Sequence, residues 1–225
     1  SFIQANQENP FFLYLPLTMP HNPVHVSPEF KDQSENGLYA DCVEEIDWST
    51  GKILDTLDKL NLSGRTLVIF TSDNRAAKRW GGSNAPLSGY KDSVQEGGMR
   101  VPCIAHWPSQ IMPGQRPDEL TTTMDLFPTF VSLAGGDLPT DRHIDGRDIW
   151  PMLTDSEEMK TKASVFYYYR QDQLQAVRFG KWKLYLPLAP VRVSPTPAAT
   201  AKTAPRLYDL QSDISESENL GVCRT

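Results

Sequence analysis

The sequence has few of the features that mark membrane, nucleic-acid-binding or disulfide-rich proteins. No apolar run approaches the roughly 20 residues needed to span a bilayer, and the first residues do not resemble a signal peptide. A net charge of -6 argues against a basic surface for nucleic acid. The three cysteines, Cys42, Cys103 and Cys223, have no metal-ligand spacing, and their odd number argues against a disulfide framework. With 39% hydrophobic residues, the chain predicts one globular domain, or one domain with a small appendage.

Strands and helices alternate in the first part of the chain. The apolar run Phe11–Leu15 predicts a buried strand, and the apolar spacing from Gly37 to Leu60 predicts a helix. Thr66–Phe70 is continuously apolar or β-branched, which is typical of a strand buried on both faces of a parallel sheet. Residues 71–100 are polar and rich in glycine, and a loop of this length is usually functional or disordered. Three further elements are predicted: a strand over Val101–Trp107, a helix from Met124 to about Gly135, and a short helix over Ile149–Leu153.

The last third of the sequence changes to a pattern of short strands. Four antiparallel strands are predicted, over residues 164–169, 175–179, 181–186 and 207–210. Residues 187–205 are rich in Pro, Ala and Thr and predict a long flexible loop. The chain therefore divides into an α/β layer over residues 1–155 and a small antiparallel β subdomain over residues 156–225.

A candidate cation site follows the strand Thr66–Phe70. Asp73 and Asn74 place a carboxylate and an amide oxygen side by side, which suits a hard cation such as Ca²⁺ or Mg²⁺. In open α/β sheets, ligands bind beyond the carboxyl ends of the strands. Asp-Asn is also common in ordinary turns, and on local sequence alone a turn is the favoured interpretation.

Candidate anion-binding side chains lie in two loops. His21 and His25 follow the first predicted strand, where a histidine can protonate a leaving oxygen, although each alone is better interpreted as a surface residue. Lys91, in a glycine-rich loop, can supply a compact positive charge, or it can be a solvated surface lysine. Glu96 and Arg100 are expected to pair and to brace this loop.

Taken together and in order, these segments resemble the type I sulfatases of the alkaline-phosphatase-like superfamily. The resemblance implies an α/β fold with a mixed sheet flanked by helices and a small C-terminal antiparallel sheet. The resemblance covers nearly the whole of this chain, and the chain corresponds to the carboxyl-terminal half of a family member. The matching stretches are Pro10–Leu15, Pro20–Pro23, Asp47–Gly51, Thr66–Asn74, Gly89–Lys91, Glu96–Pro102, Trp107–Pro108, Asp125–Thr129, Asp145–Gly146, Leu207–Leu210 and Glu218–Leu220.

The resemblance implies roles for four residues. Asp73 and Asn74 match two ligands of the active-site cation, normally Ca²⁺, with Mg²⁺ as the alternative. Lys91 matches a lysine that binds the sulfate oxygens, and His21 matches a histidine that contacts the sulfate and assists the leaving group. The metal and these cations would stabilise charge on the sulfuryl oxygens.

The sequence departs from the family pattern in two ways. The family nucleophile is a formylglycine made from Cys or Ser in a Cys/Ser-x-Pro-x-Arg motif, and no cysteine or serine of this chain has that context. We expect the motif in an upstream half, so that the 225-residue chain alone is inactive. The family also has glycine after Asp-Asn, where this chain has Arg75. If that position needs a positive φ, arginine is strained there; alternatively, its side chain adds positive charge to the site.

The resemblance predicts hydrolysis of a carbohydrate or aryl sulfate ester by the complete enzyme, meaning this chain together with the upstream half. The alternatives are a non-catalytic binding or scaffold protein and a phosphoesterase of the same superfamily. The expected partners are a sulfate-ester substrate and either the upstream half or a second copy of this chain. Unpaired strands would make the chain alone prone to aggregate or oligomerise. Family habit favours export to the periplasm, the lysosome or the extracellular space.

Overall fold

The computed structural model describes residues 1–78, 81–154, 165–170, 172–187 and 204–221. Its helices are α1 (Phe2–Ala5), α2 (Leu38–Lys59), α3 (Glu96–Met99), α4 (Leu126–Leu133) and α5 (Trp150–Leu153). Its strands are β1 (Val68–Thr71), β2 (Cys103–His106), β3 (Val165–Arg170), β4 (Gln173–Phe179), β5 (Trp182–Tyr185) and β6 (Arg206–Asp209). None of the described helices combines the length and the apolar character that crossing a membrane requires.

The chain divides into two compact units that are interleaved along the sequence. The first unit contains residues 1–72, 76–83 and 102–112, and the second contains residues 73–75, 84–101 and 113–225. The predicted boundary near residue 155 stays a prediction.

The first unit is built around helix α2 and the antiparallel pair β1–β2. The helix predicted from Gly37 to Leu60 is confirmed as α2. Its residue Leu57 is buried in a small core with Ile3 and Leu62. Strand β1 pairs with β2 with Val68 opposite His106. This pairing is antiparallel rather than the parallel pairing expected, and the apolar residues of β1 are half-buried rather than fully buried.

The predicted buried strand Phe11–Leu15 is wrong for this structure. The segment has no regular secondary structure, and Phe12 and Tyr14 are 71% and 76% exposed. No strand among the described residues pairs with the segment. An extended apolar run becomes a buried strand only where neighbouring strands satisfy its backbone and cover its side chains.

The second unit contains a four-stranded antiparallel sheet in the order β3-β4-β5-β6. The predicted strands of the last third are therefore confirmed, and Gly180 adopts a positive φ in the tight turn between β4 and β5. One face of the sheet forms a core of Ala176, Tyr185, Tyr208 and Leu210. The loop predicted over residues 187–205 lies largely outside the described residues.

The helix predicted from Met124 to about Gly135 is present as α4, which begins at Leu126 after a 3-10 turn over Thr123–Asp125. Asp125 accepts hydrogen bonds from the backbone N–H groups of Thr122 and Arg147, at 2.7 and 2.9 Å. Thr129 donates to the Asp125 carbonyl oxygen and accepts from the N–H of Ile149. Asp125 thus closes a capping box with Thr122 at the 3-10 turn, and Asp125 and Thr129 together fix the segment that leads into α5.

Candidate functional site

The predicted cation ligands lie immediately after strand β1. Asp73 and Asn74 form a bend two residues beyond Thr71, the last residue of the strand. Asp73 is exposed and Asn74 is half-buried. The two oxygen-bearing side chains thus lie just beyond a strand end, and their role as a ligand site stays a prediction.

Arg75 fits the position where the family has glycine. It is not among the residues with a left-handed backbone, so the arginine carries no backbone strain of that kind. Its Nε donates a hydrogen bond to the carbonyl oxygen of Arg100, within the same unit. Burial, together with the charge of Arg100, lowers the pKa of Arg75 from its ordinary value. The guanidinium is thus anchored on the backbone at the end of α3.

Lys91 is half-buried in a tightly closed segment, Ser88–Gly98, which we call the lysine loop. The N–H of Gly97 donates to the carbonyl oxygen of Ser88 at 2.7 Å, which joins the two ends of the loop. A Cβ on Gly97 would lie 2.6 Å from that same oxygen, so the close approach requires glycine. The closed backbone restricts where the Lys91 ammonium can lie.

We predict that Gly98→Ala destabilises the lysine loop. An added Cβ would meet the backbone carbonyl oxygens of Ser93 and Tyr90, the latter at 2.6 Å, and neither atom can move without opening the turn. Overpacking of this kind costs about 1–3 kcal/mol. Urea unfolding measures the loss. Gly64→Ala is the matched control, because its Cβ would meet nothing within 4 Å, and an equal loss in both variants would contradict the prediction.

Glu96, the first residue of α3, lies in a buried network of charges in the second unit. One carboxylate oxygen is 2.8 Å from Arg178 Nη1 and the other is 2.8 Å from Lys183 Nζ. Lys183 Nζ also lies 3.3 Å from Glu216, which in turn accepts a hydrogen bond from the Tyr185 hydroxyl. The side chains of Lys183, Glu96 and Glu216 are at most 1% exposed. We call these five residues the charge network.

The tyrosine of the charge network stays a hydrogen-bond donor. Burial and the neighbouring Glu216 carboxylate raise the pKa of Tyr185 well above its ordinary value. Burial, followed by the charge of Glu96, also raises the pKa of Tyr168 to about 12. Both hydroxyls are therefore protonated over the whole physiological range of pH.

The predicted pairing of Glu96 with Arg100 is wrong. Arg100 is exposed, and the bond between the two residues is between backbone atoms, from the Arg100 N–H to the Glu96 carbonyl oxygen at 2.8 Å. Glu96 is the first residue of the short helix and Arg100 directly follows it. The expected bracing by Glu96 is present, but its partners are Lys183 and Arg178.

His21 lies in the first unit, in the proline-rich loop, and its side chain is exposed. Its Nδ1 is 2.9 Å from the carbonyl oxygen of Asn22. A carbonyl only accepts, so the neutral ring carries its proton on Nδ1 and Nε2 is the acceptor. His25 is also exposed, and its backbone N–H contacts the sulfur of Met19.

Asp73, Asn74 and Lys91 belong to the second unit, and His21 to the first. Asp73 and Asn74 are neighbours in the chain, and their role as cation ligands, like a shared role with Lys91 and His21, stays a prediction. As a donor set, Asp73 and Asn74 fit Ca²⁺ or Mg²⁺, since both supply hard oxygen atoms. Ca²⁺ takes about six to eight oxygen ligands, and the described residues contain no group of three or more His, Cys, Asp or Glu able to hold a metal. By themselves, these two residues would supply only part of the ligands that such a cation takes.

Sequence reasoning missed the other members of the charge network. Strand alternation does place Lys183 and Tyr185 on one face of β5. A lysine on a short strand is nevertheless expected to face solvent, because lysine is almost never fully buried unless it is paired. Its partner Glu96 lies 87 residues away in the sequence, so no local pattern could reveal the pair.

Comparison with known proteins identifies the family. The sulfatase family model matches residues 1–136, and models named N-sulphoglucosamine sulphohydrolase, C-terminal, and C-terminal region of aryl-sulfatase match residues 90–185 and 161–223. The chain is 45% identical to the steryl-sulfatase of Rattus norvegicus over 74% of this chain and 30% of that protein. It is 44% identical to the N-acetylgalactosamine-6-sulfatase of Mus musculus over 82% of this chain and 36% of that protein.

A solved structure confirms the predicted fold class. The PsFucS1 sulfatase from Pseudoalteromonas sp. superposes with a TM-score of 0.77 at 28% identity, over 89% of this chain and 42% of that one. The chain thus spans about a third of the length of these curated relatives, and the models that match its later part describe carboxyl-terminal regions. By the match of the family model to more than half of its residues, this chain belongs to the sulfatase family.

Proposed function

We propose that the complete enzyme hydrolyses sulfate esters and that this chain supplies one wall of the site. The observation that carries the proposal is the match of the sulfatase family model to residues 1–136, a range that contains all four predicted site residues. A carbohydrate or aryl sulfate is the proposed substrate. The relative named N-acetylgalactosamine-6-sulfatase supports the carbohydrate alternative.

Each residue contributes what its position and chemistry allow. Asp73 and Asn74 would hold Ca²⁺, with Mg²⁺ as the alternative, through their side-chain oxygens. When bound, the cation supplies positive charge to the sulfuryl oxygens. Lys91, held by the closed lysine loop, binds the same oxygens through its ammonium group, and the fixed charge favours the transition state over the ground state.

His21 acts on the leaving-group side of the ester. His21 Nδ1–H donates to the Asn22 carbonyl oxygen, so Nε2 is the ring nitrogen that is left to exchange a proton with a ligand. When protonated, Nε2–H donates to the bridging oxygen as the S–O bond breaks. The nucleophile is proposed to come from the upstream half, as is the rest of the metal site, so the 225-residue chain alone is proposed to be inactive.

Asp73→Asn tests the metal role directly. The substitution keeps the shape of the side chain and removes its charge. We expect the affinity of the complete enzyme for Ca²⁺ to fall at least about tenfold, which is the lower end of the loss seen when a metal site is disturbed. Calorimetric titration with Ca²⁺ measures the affinity, and release of sulfate from an aryl sulfate is measured alongside. Asp118→Asn is the control, since Asp118 is exposed in the same unit.

The same assays separate the alternatives. Unchanged Ca²⁺ affinity in Asp73→Asn would contradict the metal role. Faster release of phosphate than of sulfate from matched esters would favour the phosphoesterase. Tight binding of a sulfate ester without turnover by the complete enzyme would favour the non-catalytic binding protein.

A further inference from the structure

The charge network joins the lysine loop to three other segments of the second unit. Glu96 lies in the loop, Arg178 is on β4, Lys183 is on β5, and Glu216 lies after β6. The Glu96 backbone N–H also donates to Glu216 at 2.9 Å. Both the side chain and the backbone N–H of Glu96 are thus bonded to side chains from other segments.

One further hydrogen bond holds the start of the lysine loop to the segment that contains Glu216. The Ser88 hydroxyl donates to the carbonyl oxygen of Ser215, next to Glu216 in the sequence. Glu216 itself has a positive φ of 55°, a conformation that costs energy for a residue with a side chain. The surrounding bonds to Glu96 and Tyr185 maintain this conformation.

Burial of so many charges is costly for a protein unless each is paired. Lys183 is completely buried and lies against both carboxylates and 5.0 Å from the centre of the Tyr168 ring. A core of apolar residues would stabilise the sheet as well or better. The charged arrangement adds a defined geometry. Its hydrogen bonds are directional and fix the position of Glu96, whereas apolar contacts would allow the Glu96 segment to shift.

We propose that Glu96 and its partners Lys183, Arg178 and Glu216 form a positioning device for Lys91. Lys91 lies between the joined ends of the lysine loop, five residues before Glu96, so movement of Glu96 moves the backbone that carries the ammonium group. The loop position is a property of this chain alone, whereas the effect on catalysis rests on the proposed function. None of these four residues is assigned a contact with substrate.

A double-mutant cycle tests the proposal. Glu96→Gln, Lys91→Ala and the double variant are prepared in the complete enzyme, and kcat/KM is measured with an aryl sulfate. We expect Glu96→Gln alone to lower kcat/KM by about 10- to 100-fold, the order of the loss caused by a misplaced catalytic group. In the Lys91→Ala background the same substitution should change kcat/KM less than about twofold, because the group to be positioned is already absent. An equal factor in both backgrounds indicates a general structural role and overturns the proposal.

Amide hydrogen exchange gives a readout that does not depend on activity. In Glu96→Gln, exchange across Ser88–Gly98 should become at least about tenfold faster, while exchange in α2 stays unchanged. Unchanged loop exchange overturns the proposal even if turnover falls. If Lys91→Ala leaves turnover unaltered, the proposed role of Lys91 fails, and the exchange result alone decides whether the network fixes the loop.

Two further variants complete the design. Arg178→Gln removes a partner at the edge of the network, where the side chain is 12% exposed, and replaces Glu96→Gln if that variant does not fold. It should show the same pattern with a smaller loss. Glu119→Gln, an exposed residue of the same unit, is the control and should leave both kcat/KM and loop exchange unchanged.

Discussion

Lys183→Met is expected to lower the free energy of unfolding of the protein by about 3–5 kcal/mol, the cost of removing one partner from a buried ion pair. Methionine fills a similar volume but leaves Glu96 and Glu216 buried with one cation fewer. Glu96 keeps Arg178 as a partner, whereas Glu216 keeps the Tyr185 hydroxyl. Two buried carboxylates with a single neighbouring guanidinium are therefore the source of the loss.

The free energy is obtained from urea unfolding, followed by circular dichroism. Lys181→Met is the matched control, since the Lys181 side chain is 43% exposed where it pairs with Asp209, and the variant should lose about 1 kcal/mol or less. Adding Glu216→Gln to Lys183→Met should recover part of the stability, because it removes the carboxylate left without a cation. A loss below about 1 kcal/mol in Lys183→Met would show that the network does not stabilise the fold.

The elements predicted correctly are those whose signals are local. Helix α2 has apolar residues at helical spacing, and its buried side chains Cys42 and Leu57 follow that spacing. The turn at Gly180 is flanked by residues of strand character on both sides, and the chain reverses there. In both cases the residues that determine the structure are neighbours in the sequence.

The errors occur where structure depends on distant residues. The run Phe11–Leu15 has the composition of a buried strand, but a strand needs a neighbour to pair with, and its composition cannot supply one. Similarly, the apolar character of β1 predicted a strand, but it could not show whether the neighbouring strand β2 runs parallel or antiparallel to it. The direction is set by pairing between residues such as Val68 and His106, which lie far apart in the chain.

The candidate site shows the same division. The adjacent pair Asp73-Asn74 and the glycine-rich surroundings of Lys91 are visible in the sequence, as is the histidine at position 21. The partners of Glu96 are not, because they lie 82 and 87 residues away. The sequence also suggested backbone strain at Arg75, but Arg75 does not have a positive φ, so that strain is absent.

Lys91→Ala is expected to lower kcat/KM of the complete enzyme for sulfate esters by about 10²- to 10³-fold, the loss typical of removing one donor from an oxyanion site. Under the proposed function, the Lys91 ammonium stabilises negative charge on the sulfuryl oxygens, and we expect a large effect because the backbone of the lysine loop is already closed before the reaction. Sulfate release from an aryl sulfate and from a sulfated monosaccharide measures the loss. Lys31→Ala removes an exposed lysine of the first unit and should not change the rate.

Lys91→Arg separates charge from geometry at the same position. Arginine keeps the positive charge but presents a planar fork instead of a compact point charge, so a loop that fixes the backbone places its donors differently. We expect kcat/KM for Lys91→Arg to lie between the values for Lys91→Ala and the unsubstituted enzyme. If Lys91→Ala retains turnover within about threefold, Lys91 does not bind the reacting group, because one fixed charge in a desolvated site contributes far more than that. If arginine restores turnover completely, charge alone is sufficient, and the close fixing of the lysine loop has no catalytic purpose.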